Sequence, residues 1–534
     1  NTTGDSNVAV GTNAADANTT GTGLVALGMG SLGSNTTASS NTAAGYNSLA
    51  NNTTGASNSA FGNQALEANS TAANNTACGY KALEANTTGT QNVAVGANAL
   101  DANTTGAYSV AVGYDALSAA TTGGYNTAVG RGALQANTDA ANNSAFGNAA
   151  LLSNTTGASN VAVGRAALEA NTTASNNTAV GYYALLANTT GGGNTALGAS
   201  ALLVNTTGHS NTSVGFAALA SNTTAIANTA VGRDALYSNT TGQYNTAVGY
   251  QTLDANTTGY ENTVIGRGAL GANTTGYRNT VGGQAAMYAN TTGLDNTAFG
   301  HTALGANTTG TQNVAVGSGA LSANTTSGNC TAVGRNALQD STGDGNTAIG
   351  EFAGANVTSG ATNIFLGKNA GGQNFTTGSS NIIIGANFNP SNQSNLLAFN
   401  NASQTISCSA AASSFTFSSD GRDKTDIIDL SLGLNFINKL TPRKFRWDYR
   451  DPNRFPVESK EKPEMLIKAG FIAQEVQEVL KEENAEYTAI VNDNNPDLLE
   501  VAATGMIPMM INAIQELSAK NTALETRVAA LEAA

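Results

Sequence analysis

The sequence predicts a mainly β protein: an elongated parallel β-solenoid or β-roll rod, followed by a small α+β domain that ends in a coiled coil. Three observations carry this prediction. Glycine recurs every 17 residues from Gly11 to Gly334 without a gap. Charged residues make up only 11% of the chain, against about 25% in globular proteins, and 34 of the 57 lie in residues 418–534. The chain closes on a heptad pattern of apolar residues.

The 17-residue repeat reads N-T-A-V-G-x-x-A-L-x-A-N-T-T-G-x-x, as in residues 228–242 and 245–259. Leucine fills its column in 18 of the 20 strict units, with Ala15 and Met287 as the exceptions. Such regularity indicates one structural rung per unit. A helix is excluded because Gly and N-T-T-G interrupt every three-turn segment. The short T-A-V and A-L-x-A runs are therefore predicted to be the β segments, with Gly and Asn supplying left-handed or tight corners.

The number of chains in the rod is a separate question. About 23 rungs spaced about 4.8 Å apart predict a rod on the order of 110 Å long. The adjacent apolar pairs Ala-Val and Ala-Leu place apolar groups on both faces of a strand. One face fills the interior of the rung, and we expect the other to meet a second chain in a trimeric rod. The alternative is a single-chain solenoid that tolerates Ala on its outer face.

The N-T-T column has three interpretations, one of which is a flat ice-binding face formed by its threonines. The column is also an Asn-x-Thr acceptor for glycosylation in most rungs, for example at Asn103, Asn188 and Asn256. The favoured interpretation is a ladder of asparagines at the corners, with threonines on the strand edges. The two histidines, His209 and His301, are about five rungs apart and are interpreted as surface residues.

Composition excludes several functions. The net charge of −13 comes without runs of Lys or Arg, so nucleic acid is not an expected partner. No stretch reaches 18 apolar residues, so membrane insertion is not expected. The three cysteines form no CxxC pair, and we expect no metal site and no cofactor. Because the sequence begins inside a repeat and without signal-peptide features, we expect it to be part of a longer polypeptide.

Composition changes abruptly at residues 418–427. The predicted domains are the rod (1–385), a β neck (386–417), an α+β domain (418–505) and a coiled coil (506–534). Within the α+β domain we predict a short helix over 432–440, a strand over 442–449 and an amphipathic helix over 470–483. A buried Asn at an a position commonly fixes the register and oligomeric state of a coiled coil. The predicted a and d residues are Ile507, Met510, Ile514, Leu517, Asn521, Leu524, Val528 and Leu531.

The order of motifs in residues 418–534 is specific. Ser-Asp-x-Arg-x-Lys is followed by an aromatic strand, by Gly-Phe-Ile-Ala-Gln-Glu and by the coiled coil. This order resembles the C-terminal intramolecular chaperone domain of phage tail fibres, tailspikes and endosialidases, also found in myelin regulatory factor. The resemblance implies a domain that trimerises, guides folding of the upstream β fibre and cuts itself off. Its supporting positions here are Arg422, Gly470, Gln474 and Glu475. The rod's N-T-A-V-G element resembles the head repeats of trimeric autotransporter adhesins.

The resemblance implies that a Ser-Lys dyad, Ser419 and Lys424, cleaves at or next to the Ser419–Asp420 bond. A serine hydroxyl needs a base, and a lysine whose pKa is lowered by burial can serve where no histidine is available. Asp423 and Asp426 flank the lysine, and their charges favour the ammonium form and oppose this role. The alternative is a loop serine and lysine that do not react.

The resulting functional hypothesis is a homotrimeric structural fibre, a phage tail fibre or related extracellular surface appendage. It would attach to a glycan or protein receptor on a host cell. The only enzymatic activity expected is single-turnover self-cleavage by a serine peptidase mechanism, with no external substrate. A cellular adhesin or matrix fibre with the same assembly domain is the alternative. A glycan depolymerase is a third hypothesis, but the rod's carboxylates, such as Asp234, Asp254 and Glu261, show no concentrated pair.

Overall fold

The computed structural model describes residues 2–372, 374–390, 392–401, 404–409, 416–417, 429–446, 467–488, 490–492 and 499–533. The chain divides into two compact units, Asn1–Ser418 and Ser419–Ala534. The first is called the rod and the second the C-terminal unit, and each is described by itself.

The rod is a parallel β-solenoid of about 23 turns, which confirms the predicted fold class. Each repeat contributes one three-residue strand that pairs in parallel with the next, so that Ala162 lies opposite Ala179. The offset is 17 residues up to β20 and then varies, as when Thr331 pairs with Thr347. Strands β1–β23 are Val8–Val10, Val25–Leu27, Thr42–Ala44, Ser59–Phe61, Thr76–Cys78, Val93–Val95, Val110–Val112, Thr127–Val129, Ser144–Phe146, Val161–Val163, Thr178–Val180, Thr195–Leu197, Thr212–Val214, Thr229–Val231, Thr246–Val248, Thr263–Ile265, Thr280–Gly282, Thr297–Phe299, Val314–Val316, Thr331–Val333, Thr347–Ile349, Ile364–Leu366 and Ile382–Ile384.

The interior of the rod is made by the chain itself. From β2 onward the central residue of each strand, usually Ala, is buried, and so is the Leu of the following turn in most rungs, as at Ala162 and Leu168. These residues join into a continuous apolar core from Leu24 to Ala398. Each rung therefore closes its own interior with small side chains, and the outer face of the strands is left for other contacts.

The A-L-x-A runs differ from the prediction, because they form turns and not strands. Leu168 adopts a left-handed backbone with φ of 52°. This conformation costs an L-residue about 1–2 kcal/mol. Burial of a leucine side chain contributes about 1.5–3 kcal/mol, and the Leu168 N–H also donates to the Ala184 carbonyl at 3.0 Å. Burial thus offsets the backbone cost.

Glycine supplies one corner of each rung, as predicted, with Gly164 at φ 130°. The two repeated asparagine columns do not adopt a left-handed backbone, since Asn171 and Asn177 lie outside the positive-φ set, whereas asparagines at other positions do, as at Asn176 with φ of 62°. The asparagines of the two columns are buried and hydrogen-bonded instead. The Asn171 Nδ2 donates to Asn154 Oδ1 at 2.8 Å and to the Ala174 carbonyl at 3.0 Å. In the second column the backbone N–H of Asn177 donates to Asn160 Oδ1 at 3.0 Å. The predicted asparagine ladder is therefore confirmed, and it satisfies most of the polar groups that burial would otherwise penalise, with Asn177 Nδ2 and Asn103 Oδ1 as exceptions.

The last described strands of the rod leave the repeat. β24 (Leu396–Asn401) pairs in parallel with β23 and antiparallel with β25 (Gln404–Ser409). β25 then pairs antiparallel with β26 (Thr416–Phe417). Paired strands thus follow the last parallel rung in the region predicted to be a β neck.

The C-terminal unit is α+β in its described residues. The predicted short helix is observed as α1, and the predicted strand as β27, with residues 447–449 outside the described part. The second predicted helix begins at Ala473 and not at Gly470, because Gly470 pairs with Arg443 across β27 and β28. The elements are α1 (Leu434–Lys439), β27 (Arg443–Arg446), β28 (Ile467–Gly470), α2 (Ala473–Glu482), a 3-10 turn (Glu486–Thr488), β29 (Val491–Asn492), β30 (Glu500–Val501), a 3-10 turn (Ala503–Met506) and α3 (Ile507–Glu532).

One apolar cluster holds the C-terminal unit together. It joins α1, α2 and the start of α3 around Phe436, which is 1% exposed. The other buried members are Leu432, Leu440, Val476, Leu480, Ala485, Ile490, Met506 and Met509.

Candidate functional site

The long helix α3 has two faces of different character. Met509 and Ala513 are buried against the rest of the C-terminal unit. The apolar residues predicted at heptad positions are exposed, with Ile514 65% and Leu531 70% accessible. A row of exposed large apolar side chains marks a surface for association with protein. The exposed members of this heptad face are Ile507, Met510, Ile514, Leu517, Leu524, Val528 and Leu531.

Asn521 is the polar member of the heptad face. Its Nδ2 donates to Glu525 Oε1 at 3.3 Å, one turn further along the helix. The contact is exposed in the single chain, so the amide is free to exchange it for a partner on another helix.

Hydrogen bonds fix the first half of α3 to the C-terminal unit. Asn512 Nδ2 donates to the carbonyl oxygens of Leu430 and Leu432, both at 3.0 Å. A Glu516 carboxylate oxygen accepts the backbone N–H of Leu434 at 3.0 Å. Leu434 is the first residue of α1, so this carboxylate satisfies an amide that the helix itself leaves unpaired. The heptad face therefore extends from a fixed base.

Two residues of the supporting motif take part in defined contacts. Glu475 on α2 forms a two-point ion pair with Arg443 on β27, at 2.8 and 2.9 Å. This hydrogen-bonded carboxylate raises the pKa of Arg443. At Gly470 an added Cβ would lie 3.2 Å from a ring carbon of Phe445, a close approach that favours glycine. Gln474 is exposed.

A second ion pair connects α1 with the end of α2. The Lys439 ammonium lies 2.6 Å from a Glu483 oxygen and 3.3 Å from a Glu482 oxygen. Hydrogen bonds to these two carboxylates raise the pKa of Lys439. The sequence analysis did not predict this ion pair, because two glutamates at the end of a helix do not indicate which lysine or arginine they will contact.

The predicted dyad lies outside the described residues. Ser419, Asp420, Arg422 and Lys424 all fall in this part of the chain. The Ser419–Lys424 geometry therefore stays a prediction.

The outer face of the rod's sheet carries an exposed apolar column. It is formed by the third residue of the strands, as in Ile265, 54% exposed, while the strand's central residue points inward. Such a column, continued over many rungs, exceeds the scattered apolar residues of an ordinary surface. Its exposed large members are Val10, Leu27, Phe61, Val95, Phe146, Val163, Leu197, Ile265, Phe299, Val316, Val333, Ile349 and Leu366.

The reactive side chains of the rod are isolated. His209 and His301 are exposed, as predicted. Cys78 is exposed and Cys330 buried, both are free thiols, and burial raises the pKa of Cys330. Across the residues that the structure describes, no group of three or more His, Cys, Asp or Glu side chains is placed to hold a metal ion. No helix in the same residues is long and apolar enough to cross a bilayer.

Residues 419–484 match the family model described as "chaperone of endosialidase". The matched segment contains the predicted dyad together with Gly470, Gln474 and Glu475. No curated protein sequence and no solved structure matches the chain with significance. The C-terminal unit thus contains a segment that matches the chaperone-of-endosialidase family, and its combination with a β-solenoid rod fits the architecture of endosialidases and tail fibres.

Proposed function

We propose that this protein is a homotrimeric structural fibre whose C-terminal unit gathers three chains and guides assembly of the rod. The observation that carries the proposal is the exposed heptad face of α3. Burying one large apolar side chain contributes about 1.5–3 kcal/mol, so seven such residues on each chain provide a strong driving force for association.

The number of chains rests on the family match and not on the heptads. Branched residues at a and leucine at d, as in Ile514 and Leu517, favour two strands in an isolated parallel coiled coil. The matched chaperone family implies three chains. We therefore infer that contacts elsewhere in the assembly, including the rod's outer apolar column, select the trimer.

The repetition of the rod explains why such a fibre needs a chaperone. A slip by one rung between chains leaves nearly every contact unchanged, because the interior and outer columns repeat every 17 residues. A unique C-terminal unit that associates first fixes all chains at the same register. The rods can then pack along their exposed columns.

We further propose that the C-terminal unit is removed by self-cleavage after assembly. The Lys424 amine would take the proton of the Ser419 hydroxyl, and the hydroxyl oxygen would attack the carbonyl at or next to the Ser419–Asp420 bond. The peptide C–N bond would then break, the Lys424 ammonium would give its proton to the leaving amine, and water would hydrolyse the resulting ester. Loss of the assembly domain makes the assembly of the rod kinetically irreversible.

A denaturing gel of wild type against Ser419→Ala and Lys424→Ala tests the self-cleavage step. We expect a shortened rod in the wild type and a full 53.5 kDa chain in both variants. A wild-type chain that stays uncut contradicts the step.

The assembled fibre is proposed to be a phage tail fibre or a related extracellular appendage that attaches to a host-cell receptor. The support is the combination of a long, weakly charged rod with a C-terminal segment that matches an assembly-chaperone family. A cellular adhesin with the same assembly domain is the alternative, and the presence or absence of phage structural genes beside the gene distinguishes the two.

Assembly is tested by the mass of the full chain in solution, measured by sedimentation on a Lys424→Ala background that keeps the C-terminal unit attached. We expect about three times 53.5 kDa. Leu517→Asp should reduce the mass to that of one chain, because a carboxylate cannot be buried in the heptad face without a large cost. Gln515→Asp adds the same charge at an exposed residue outside the predicted a and d positions and should leave the mass unchanged. A single-chain mass before mutation, or no effect of Leu517→Asp, contradicts the proposal.

A further inference from the structure

One corner of the rod carries a braced stack of aromatic rings. The rings of Tyr260 and Tyr277, one rung apart, lie parallel with centroids 4.6 Å apart. The Arg278 guanidinium covers the Tyr277 ring at 4.9 Å, and Asp295 on the next rung pairs with that guanidinium at 3.0 Å. A chain of contacts through Tyr277, Arg278 and Asp295 therefore holds the Tyr260 ring in a fixed orientation.

The backbone beneath this stack is also fixed. The Glu261 N–H donates to the Gln243 carbonyl at 3.0 Å, and the Arg278 N–H donates to the Tyr260 carbonyl at 3.1 Å. Tyr244, Glu261 and Arg278 all adopt left-handed φ angles between 54° and 58°. A corner held by rung-to-rung hydrogen bonds presents its side chains with little freedom to rearrange, which lowers the entropic cost of binding.

A cavity of about 270 Å³ lies beside Tyr260. Its lining comes from two neighbouring rungs, with Thr241, Gln243 and Tyr244 on one and Thr258, Tyr260 and Glu261 on the other. Because Tyr277 covers one face of the Tyr260 ring, the preceding rung places the cavity against the other face. Tyr260 and Tyr244 are 40% and 55% exposed, so the cavity is open to solvent.

We propose that this cavity binds one ring of a neutral saccharide. The C–H face of a pyranose packs on an aromatic face, and the hydroxyls at its edge both donate and accept hydrogen bonds. The cavity supplies matching groups in the Glu261 carboxylate, the Gln243 amide and the threonine hydroxyls. A few polar groups around an apolar surface are typical of small-molecule sites.

The charges at the cavity select against an acidic sugar. Glu261 is the only charged residue in the lining, and it would repel a carboxylate or sulfate. The nearest stacked cation, Arg278, is already paired with Asp295. The inference rests on the proposed attachment function and narrows the receptor to a neutral glycan.

Saturation-transfer NMR on the full chain tests the proposal, with methyl glycosides of glucose, galactose, mannose and N-acetylglucosamine as probes and N-acetylneuraminic acid as the anionic probe. We expect transfer to at least one neutral glycoside. Tyr260→Ala should weaken binding about tenfold, because it removes the stacking surface. The matched control is Tyr108→Ala, since Tyr108 is also exposed and stacked on a tyrosine one rung away, at 4.9 Å. This control should bind as the wild type does.

Three outcomes overturn the saccharide site: no transfer to any neutral glycoside, binding that Tyr260→Ala does not weaken, or preference for the anionic probe. The mass of the same samples is measured in parallel. A trimer that binds no sugar removes the saccharide site alone, whereas a single-chain mass removes the proposed fibre assembly. Removal of an exposed side chain leaves the buried core intact, and amide exchange of each variant verifies this.

Discussion

The rod and the C-terminal unit are stabilised by different interiors. The rod repeats alanine, leucine and hydrogen-bonded asparagine from rung to rung. The C-terminal unit packs unlike side chains, among them Phe436, Leu480 and Met509, around one centre. Because every rung of the rod has nearly the same interior, that interior does not determine which rung of one chain lies beside which rung of another. A core of unlike side chains, in contrast, is compatible with one packing arrangement. In the proposed assembly, the rod therefore provides length and the C-terminal unit fixes the register of the chains.

Destabilising substitutions in the two interiors should also have different consequences. In a solenoid each rung contacts only its neighbours, so a defect is expected to stay local. In a small single-core unit, loss of the centre is expected to unfold the whole unit cooperatively. The following variants test this contrast.

The largest effect is expected for Asn171→Asp. The change replaces a buried amide donor by an oxygen that faces two acceptors, Asn154 Oδ1 and the Ala174 carbonyl. We expect a local loss of about 5 kcal/mol at neutral pH, measured by hydrogen exchange of the adjoining rungs. Thr173→Asp places the same charge on an exposed residue two positions away and should change exchange little.

The effect of Asn171→Asp should depend on pH. Burial raises the folded-state pKa of the introduced carboxyl above its unfolded value of about 3.9. The unfolded state therefore loses its proton more readily, and the destabilisation grows as pH rises and shrinks as pH falls toward about 4. An effect that does not change with pH contradicts a buried ladder at this position.

Phe436→Ala should cost about 4 kcal/mol, because it empties the centre of the C-terminal cluster. The whole C-terminal unit should lose exchange protection together, and the chains should no longer associate. The control is Ile437→Ala, at a partly buried neighbouring residue, which should reduce stability less. Local loss around residue 436, with the rest of the C-terminal unit protected, would show that the unit is not one cooperative core.

Gly181→Ala should cost about 2 to 3 kcal/mol. At φ 139° the added Cβ would lie 2.5 Å from the Gly198 carbonyl oxygen of the next rung. Gly193→Ala is the control, since it also has a positive φ, of 69°, but its nearest neighbours are 3.9 Å away. Equal losses of thermal stability for the two variants would mean that backbone strain, and not rung spacing, sets the cost.

Arg443→Ala should have the smallest effect, a loss of stability close to that of an ordinary surface substitution, because the Arg443–Glu475 pair is half exposed and screened by solvent. The loss should shrink further in high salt. A denaturant midpoint in low and high salt measures both, with Lys444→Ala as the control on the same strand. A loss several times larger would give this pair a structural role that its exposure does not predict.

The predictable parts of the fold are those that repetition reveals. The Gly column, the 17-residue spacing and the buried Asn ladder follow from period and residue type, and the structure contains all three. The left-handed conformation of Leu168 and of the leucines at the same position in other rungs was not predictable from the sequence. Leucine disfavours a positive φ, and only the burial of its side chain in the assembled rung offsets that cost.

The candidate sites also differ in how far the sequence alone predicts them. The heptad face could be read from sequence because its spacing is periodic. The Arg443–Glu475 pair and the Tyr260 cavity depend on residues brought together by the fold, although the 17-residue spacing of Tyr260 and Tyr277 gives a signal of stacking. The Ser419–Lys424 dyad rests on motif order alone.

We propose that the C-terminal unit fixes the register between the chains of the rod. The most direct test is to produce residues 1–418 with and without residues 419–534 on the same chain, and to measure the molecular mass of the rod in solution. We expect three-chain rods only when the C-terminal unit is present during synthesis, and single or irregularly associated chains when it is absent. A uniform three-chain rod formed by residues 1–418 alone would contradict this proposal.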